Sequence, residues 1–425
     1  MEAPLAPTPV PATAHAPGPA PSLTRIEETP AERAIDRGPS LDPGWIAGEM
    51  GTGAVAITLL SATDQILARA LITPGEQSTL LGRARLPPQA LTRTLFVSDV
   101  AVHPSAPSDA RAALLYFCAR RARILDRATL ATGVSMEGVR GASSGVPFER
   151  WPQVTQAQQL GRSFEIRAER VDLTVHHAQA ALSPRGHAFV RERFVEEAVE
   201  TLDRWLPRFF GNAWFRAIRS GSLAKPQYVA TLSNLHQFVR WTTRLIGRAV
   251  GASSDARVRA KWLQHLQGEV DHEVILERDL AALGADVDFV KGAMEPSVAT
   301  QSFMVAQESM IAFHQDPVLF MAAPFVAEGF AARLDREFVE ALRACVASWG
   351  VDNPKQATAF FASHIEYDGG SDGHWESTRS VLREHLVTER HLQRFLNAAR
   401  LCMEAFDRAY AGYVEDLAIF GAEGA

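Results

Sequence analysis

Cysteine is scarce in this chain of 425 residues: there are three, Cys118, Cys345 and Cys402. Odd in number, far apart and without a Cys-x-x-Cys pair, they exclude a disulfide framework, and a reducing cytoplasm is the compartment expected. Long apolar runs are missing too. None approaches the roughly 18 residues of a membrane span, and the N-terminus lacks the charged start and apolar core of a secretory signal, so a soluble protein with no membrane association is expected. No excess of positive charge points to a nucleic-acid partner: 43 basic residues against 49 acidic ones leave a net charge of −6. The signs are interleaved, as in Arg191-Glu-Arg-Phe-Val-Glu-Glu, which reads as a solvated helix face. Large apolar residues are almost absent from residues 1–43 before Ile26, while Pro and Ala abound. Such a segment cannot bury enough surface to offset its ordering entropy, and a disordered tail is expected.

What the chain does have is an ordinary globular composition, 47% hydrophobic and 22% charged, over a length that accommodates two domains and a tail. Residues 44–180 mix short strands with a helix. Ala54-Val-Ala-Ile-Thr-Leu-Leu and Gln65-Ile-Leu-Ala-Arg-Ala-Leu-Ile flank the turn-like Ser61-Ala-Thr-Asp, a hairpin pattern. The strand Thr94-Leu-Phe-Val-Ser-Asp-Val-Ala-Val, a polar loop over 103–108 and a helix over 109–127 follow. Then come a strand at Ala128-Thr-Leu-Ala-Thr-Gly-Val, the segment Gly145-Val-Pro-Phe and a late strand over 164–175.

This order resembles the GNAT acyltransferase superfamily, which implies an α+β fold and a coenzyme A site in the loop after the central strand. That loop is normally basic and contains glycine, so that backbone N–H groups and a helix N-terminus hold the pyrophosphate. Here it reads Ser105-Ala-Pro-Ser-Asp-Ala: no glycine, a proline that lacks an N–H, and an aspartate that repels phosphate. A degenerate domain is expected, with acyl-CoA-dependent N-acyl transfer as the alternative. Asp109 reads as the N-terminal cap or first-turn acid of the following helix.

Residues 181–425 are nearly all helix. Apolar residues recur at three- and four-residue steps, as at Phe189, Phe194, Val199 and Leu202. Helices are predicted over 186–209, 226–250, 255–282, 297–314, 317–346, 354–368 and 374–421, punctuated by Gly251, Gly284, Pro317, Gly350, Pro354 and Gly369-Gly370. A helical bundle follows.

The polar residues that interrupt its apolar faces carry the chemistry. Glu269 and His272 stand three apart mid-helix, where a carboxylate and an imidazole can reach one metal from one side; the bland reading is a solvated face. Glu328 ends an apolar stretch, and a buried carboxylate stays ionised only with a partner, either a metal or a cation such as Arg333. His364 and Asp368 share a face, and the double glycine lets the chain turn His374, or Asp372, back toward them. His364 could equally be a helix-terminal histidine before an ordinary stop signal. Phe313, Phe320, Phe325 and Phe330 read first as core and second as the wall of an apolar pocket.

Together these residues resemble the heme-oxygenase-like di-iron oxidases of the TenA and PqqC-like fold, over about residues 200–400. Glu269 and His272, then Glu328-Gly329, then His364-Ile-Glu-Tyr-Asp368, and the phrase Asp279-Leu-Ala-Ala-Leu-Gly follow the family's order. The resemblance implies a metal set of Glu269, His272, Glu328, His364, Asp368 and His374. The family's last histidine position is Ser371 here, which leaves His374 to be delivered by an insertion or bulge. Where a further carboxylate is common, Ser233-Asn-Leu-His-Gln-Phe makes His236 the candidate. His265 competes with Glu269, which ranks higher because bridging needs two oxygens.

Hard carboxylates and imidazoles suit two Fe(II) ions per chain, or Mn(II), with open positions for dioxygen. The implied activity is oxidation of a small molecule, by N-oxygenation of an amine or amino acid, oxidative C–C cleavage or fatty-acid decarboxylation, within small-molecule biosynthesis. An external electron donor and a homodimer are partners this reading allows. The alternatives are a metal-free TenA- or PqqC-like enzyme, which would want a nucleophilic cysteine or an active-site histidine set, and a carrier protein whose polar cluster is a structural ion-pair network.

Overall fold

The computed structural model describes residues 23–30, 53–135, 153–159, 162–368 and 373–421. Its chain divides into two units, Met1–Val190 and Arg191–Ala425, so the division falls ten residues beyond the expected 180. Among the described residues no single helix is long and apolar enough to cross a membrane.

The N-terminal unit is built on seven strands: β1 (Arg25–Pro30), β2 (Val55–Leu60), β3 (Ile66–Pro74), β4 (Thr94–Val102), β5 (Thr129–Ser135), β6 (Gln153–Gln159) and β7 (Arg162–Arg170), in the order β1-β2-β3-β4-β5-β7-β6. Helices α1 (Thr79–Arg83), α2 (Pro88–Thr92), α3 (Ala110–Ile124), α4 (Val171–Ala180) and α5 (Pro184–Arg191) accompany them. The β2–β3 hairpin turns where Ser61 Oγ accepts the N–H groups of Thr63 and Gln65, and Asp64 takes a left-handed φ of 61°. The parallel pair is β4 with β5, and α3 makes the crossover that such a pair requires. Helix α3 is buried almost all round and packs on β2, β3 and β4, as expected of a helix without a polar face. Leu80 and Leu81 of α1 join Phe96, Phe164 and Ile166 in a core cluster. In β4, Ser98 is an extra residue: Leu71 pairs with Asp99 and Ile72 with Val97. Pairing with β5 spans Thr94 to Val97.

Three expectations are corrected here, and one strand is added. The tail contains β1, which pairs antiparallel with β2; the rest of 1–43 lies outside the described residues, apart from the two that precede β1. The late strand stops at Arg170, because Val171, Val175 and Ala178 recur at helical spacing and bury one face of α4. The all-polar ends of β6 conceal a strand that pairs with β7. Asp109 occupies the cap position of α3 but makes no capping bond; its carboxylate accepts the Ser183 N–H (3.0 Å) and hydroxyl, closing the entrance to α5. Gly145-Val-Pro-Phe lies outside the described residues.

The second unit is helical: α6 (Phe194–Phe210), α7 (Ala213–Arg219), α8 (Lys225–Ala252), α9 (Ala256–Gly268), α10 (His272–Ala282), α11 (Val287–Gly292), α12 (Val298–Ala312), α13 (Pro317–Phe320), α14 (Ala322–Ala331), α15 (Arg336–Ser348), α16 (Ala359–Asp368), α17 (His374–His385) and α18 (Glu389–Gly421). Caps explain the boundaries. Asp255, Asp286, Ser297, Asp316 and Asp335 each accept a backbone N–H from the first turn of the helix they precede. The long helices expected over 317–346 and 374–421 are therefore interrupted, the first before Asp335 and the second between His385 and Glu389. Helix α8 packs on α9, α10 and α12, while α14 packs on α16, α17 and α18. Phe209, fully buried, gathers Trp205, Phe215, Phe330, Phe406 and Tyr410 around it.

Replacing Asp109 by Ala removes the acceptor that holds Ser183 at the start of α5, and is expected to destabilise the N-terminal unit by about 1 kcal/mol. Chemical denaturation should show the loss, and an unchanged midpoint would mean that this link is not stabilising.

Candidate metal centre

The helix expected over 255–282 is two helices, and the break lies at the candidate site. Helix α9 carries His265 in its last turn and ends at Gly268, and Glu269 is its cap residue. Asp271 then takes a left-handed φ of 70°, and His272 opens α10. Aspartate tolerates that conformation better than most residues, though at a cost. Glu269 and His272 thus meet across a turn rather than along one helix face: Glu269 Oε2 lies 3.1 Å from His272 Nδ1.

Glu269 Oε1 faces two further imidazoles, His265 Nε2 at 3.6 Å and His374 Nδ1 at 3.7 Å. Glu328, on α14, places Oε1 3.3 Å from His265 Nε2, and His374 Nδ1 is 3.3 Å from Asp368 Oδ1 at the end of α16. The His364 ring stands 5.0 Å from that of His272, and its Nδ1 donates to the Phe360 carbonyl at 2.7 Å. His265, Glu269 and Glu328 each offer one ligand atom within 4.8 Å of the others. The structure therefore brings together Glu269, His272, Glu328, His364, Asp368 and His374, with His265 as a full member. Residues 369–372, including Asp372, lie outside the described residues; His374 arrives as the first residue of α17.

His236 is not in this group. Its Nε2 lies 3.3 Å from Glu277 Oε1, and Glu277 also holds Lys291, so a carboxylate further along α10 takes that imidazole instead. Arg333 does not serve Glu328 either. It pairs with Asp203 at 2.6 Å, donates to the Gly329 carbonyl and lies over the Trp375 ring. Among the described residues, the ion pairs of Glu269, Glu328 and Asp368 are all with histidines.

Burial and mutual charge set the protonation of the group. Burial pushes the Glu328 carboxyl well above the usual carboxylate range, and the charges of Asp368 and Glu269 push the same way. Burial also works to raise Glu269, but the neighbouring His272 and His265 outweigh it and hold that carboxyl at about 2. Burial lowers His364 and brings His265 down to about 4. His374 is raised by its bond to Asp368. Glu328 Oε2 accepts from Thr378 Oγ1 at 2.8 Å, whereas Oε1, buried, receives no hydrogen bond. A buried carboxylate oxygen turned toward imidazoles without a donor is what a metal ligand presents before it is loaded.

Three residues outside the sequence-derived set shape the group. Gly268 admits His374: a Cβ there would lie 2.7 Å from His374 Nε2. Gly329 likewise leaves room for Leu202 and Trp375, so α17 can approach beside Glu328. Asp279 of α10, fully buried, accepts the Phe360 N–H at 2.9 Å and so fixes the start of α16 against the helix that carries His272. Burial pushes its carboxyl up to about 7.

The cluster stands between two openings. On one side, His265, Glu269, Glu328, His364 and Asp368 line an apolar cavity walled by Phe320, Phe330 and other apolar side chains. On the other, Gly268, Asp271, His272, Tyr367 and His374 line a cleft with Arg278. Of the four phenylalanines considered, Phe325 belongs to the core with Trp375 and Phe395, and Phe313 is 87% exposed.

No protein-family model matches the chain, and no curated protein matches it. About half of it is similar to solved structures at low identity. A domain of unknown function with a heme oxygenase-like fold from Shewanella denitrificans is 17% identical with a TM-score of 0.46, covering 53% of this chain and 93% of that one. A TenA homologue from Pseudomonas syringae is 12% identical with a TM-score of 0.43, covering 52% and 93%. A CADD-like protein of unknown function from Nostoc punctiforme is 15% identical with a TM-score of 0.40, covering 52% and 97%.

Asp271→Ala is expected to lower stability by about 1 kcal/mol, because Ala adopts a left-handed conformation less readily, while Asp271→Gly should not. Equal melting temperatures for the two variants would show that the turn is unstrained.

Proposed function

We propose that this chain is an iron-dependent oxidase: its helical unit is a heme-oxygenase-like bundle that holds two Fe(II) ions and oxidises a small molecule with dioxygen. One observation carries the reading. Three carboxylates and four imidazoles from α9, α10, α14, α16 and α17 converge in a buried site where, among the described residues, no lysine or arginine pairs with them. Hard oxygen donors with imidazoles are the ligand chemistry of Fe(II), or of Mn(II).

The residues divide the work. Glu269 has one oxygen toward His272 and the other toward His265 and His374, so it can span two ions. His364 gives its Nδ1 proton to the Phe360 carbonyl, which leaves Nε2 as the ligand atom and fixes the ring. Thr378 orients Glu328 through Oε2 and leaves Oε1 for the metal. Iron bound there would supply the electrons and open positions that dioxygen activation needs. The apolar cavity excludes water from the reacting face and receives the substrate, be it an amine, an amino acid or a fatty acid. An external donor would restore the reduced state.

What supports a degenerate GNAT-like reading of the N-terminal unit is its layout: strand β4, then a loop and helix α3, then β5 parallel to β4. Its candidate phosphate loop has Pro107, and the Asp109 carboxylate is engaged by Ser183. A metal-free enzyme with a cysteine nucleophile is disfavoured: burial pushes the Cys402 thiol up to about 12 and raises Cys345 as well.

Anaerobic Fe(II) titration is expected to load about two ions per chain, with transient visible absorption on admitting dioxygen. Glu328→Ala should abolish loading and keep the helical circular dichroism; fewer than one ion bound by the unaltered chain would discard the reading. Loading should also strengthen from about pH 6 to about pH 8. Glu328 and His374, both raised, must give up protons to bind metal, so falling pH opposes binding. A pH-independent affinity would remove both from the ligand set.

A further inference from the structure

Asp279 is fully buried on α10, and among the described residues its hydrogen bonds come from the backbone and from an amide: Oδ2 accepts the Phe360 N–H at 2.9 Å, and Oδ1 accepts the Gln356 side-chain N–H at 3.5 Å. A carboxyl buried in this way costs free energy, and a cost of that kind is the mark of a functional site more often than of a stabilising one. What Asp279 holds is residue 360. Phe360 in turn holds His364, one turn further along α16, in two ways. Its carbonyl takes the Nδ1 proton at 2.7 Å, and its ring centroid lies 4.1 Å from that of the imidazole. Only the tautomer with the proton on Nδ1 leaves a lone pair on Nε2 for a metal.

These bonds close a circuit. His272 and Asp279 stand about two turns apart on α10 and so share a face of it. The His272 ring is 5.0 Å from the His364 ring, and Asp279 reaches residue 360 of the same neighbouring helix. The two helices therefore meet at two levels, and the contact at Asp279 sets the register in which the two imidazoles face each other. Other bonds at the entrance to α16 end short of Phe360: the Tyr228 hydroxyl, from α8, donates to the Ala357 carbonyl at 2.9 Å, and Arg343 donates to Thr358 Oγ1 at 3.3 Å.

We propose that Asp279 is a positioning residue of the candidate metal centre: acting through Phe360, it fixes the tautomer of His364 and the placement of that imidazole beside His272. That His364 is a ligand rests on the iron reading; the hold on its ring rests on the hydrogen bonds alone. Without the Asp279 carboxylate, residue 360 loses its link to α10 and its carbonyl is no longer held against the imidazole. The His364 proton then divides itself between the two ring nitrogens, and each ring that carries it on Nε2 has nothing to offer an ion.

The test uses the metal-free chain with isotope-labelled histidines and long-range proton–nitrogen correlation spectra, in which His364→Gln assigns the His364 ring. The unaltered chain is expected to show that ring as one neutral tautomer with its proton on Nδ1. Asp279→Ala should turn it into an average of both tautomers; Asp279→Leu, which fills the space without an acceptor, serves in its place if the alanine variant does not fold. Asp279→Asn keeps an acceptor and should keep the single tautomer. Tyr228→Phe removes a buried bond from the same junction and should also leave it untouched, because that bond does not reach Phe360. A single tautomer that survives loss of the Asp279 acceptor overturns the proposal, and so does an equal change in Tyr228→Phe. In competition titrations with Co(II), affinity should fall about tenfold in Asp279→Ala and by less than about twofold in Asp279→Asn and Tyr228→Phe. Equal affinities throughout overturn it as well. Failure of the iron reading looks different: the unaltered chain takes up neither Fe(II) nor Co(II), while the His364 tautomer still follows the residue at position 279.

Discussion

Three carboxyl groups, Glu269, Glu328 and Asp368, share one buried site in which, among the described residues, they pair with no lysine or arginine, and the rest of the helical unit is arranged around that constraint. Their partners among the described residues are imidazoles, and these do not suffice, because burial suppresses charge on His265 and His364 while the neighbouring acids call for it. Without a metal the site settles by splitting its protons. Glu269 stays ionised beside His272, Glu328 is driven toward its neutral acid, and His374 keeps a proton on the side facing Asp368. Two divalent ions would replace those protons and relieve the crowding, which is why the proposed iron centre and the electrostatics belong together.

How much of this is legible in the sequence depends on which physical signal each residue leaves. Glu269 and His272 are visible because three-residue spacing brings side chains together in a helix, and the turn that replaces the helix happens to preserve their contact. The turn itself leaves one trace, Gly268 at the end of α9, which is easily passed over inside an otherwise helical pattern; the left-handed backbone falls on Asp271 instead. The need for bridging oxygens ranks His265 below Glu269, although one turn of α9 brings it within reach of both Glu269 and Glu328. The family resemblance misplaces His236, because a matching stretch cannot tell that Glu277 claims that imidazole. Asp279 reads as part of a family phrase, and its connection to the start of α16 is a tertiary fact that sequence spacing does not contain.

The N-terminal unit repeats the lesson with strands. The β2–β3 hairpin and β4 carry apolar runs that announce burial, and they are readable. Strand β6, Gln153–Gln159, is dominated by glutamine and has no alternation to betray it; its partner β7 recruits it through backbone bonds that any sequence can make. Strand β1 hides in a proline-rich context for the same reason. Helix α4 reads as strand because valine and threonine favour sheets, but the four-residue spacing of Val171 and Val175 buries a helical face, and packing outweighs propensity.

The bond between Asp279 and the Phe360 N–H has a consequence for motion. It fastens the helix bearing His272 to the one bearing His364 and Asp368, one turn before His364 and at the end of α16 opposite Asp368. Helices stitched together in this way exchange their amide hydrogens as one cooperative block. In the proposed iron centre, release of an ion would then be an event of the whole pair of helices rather than of a single side chain swinging away.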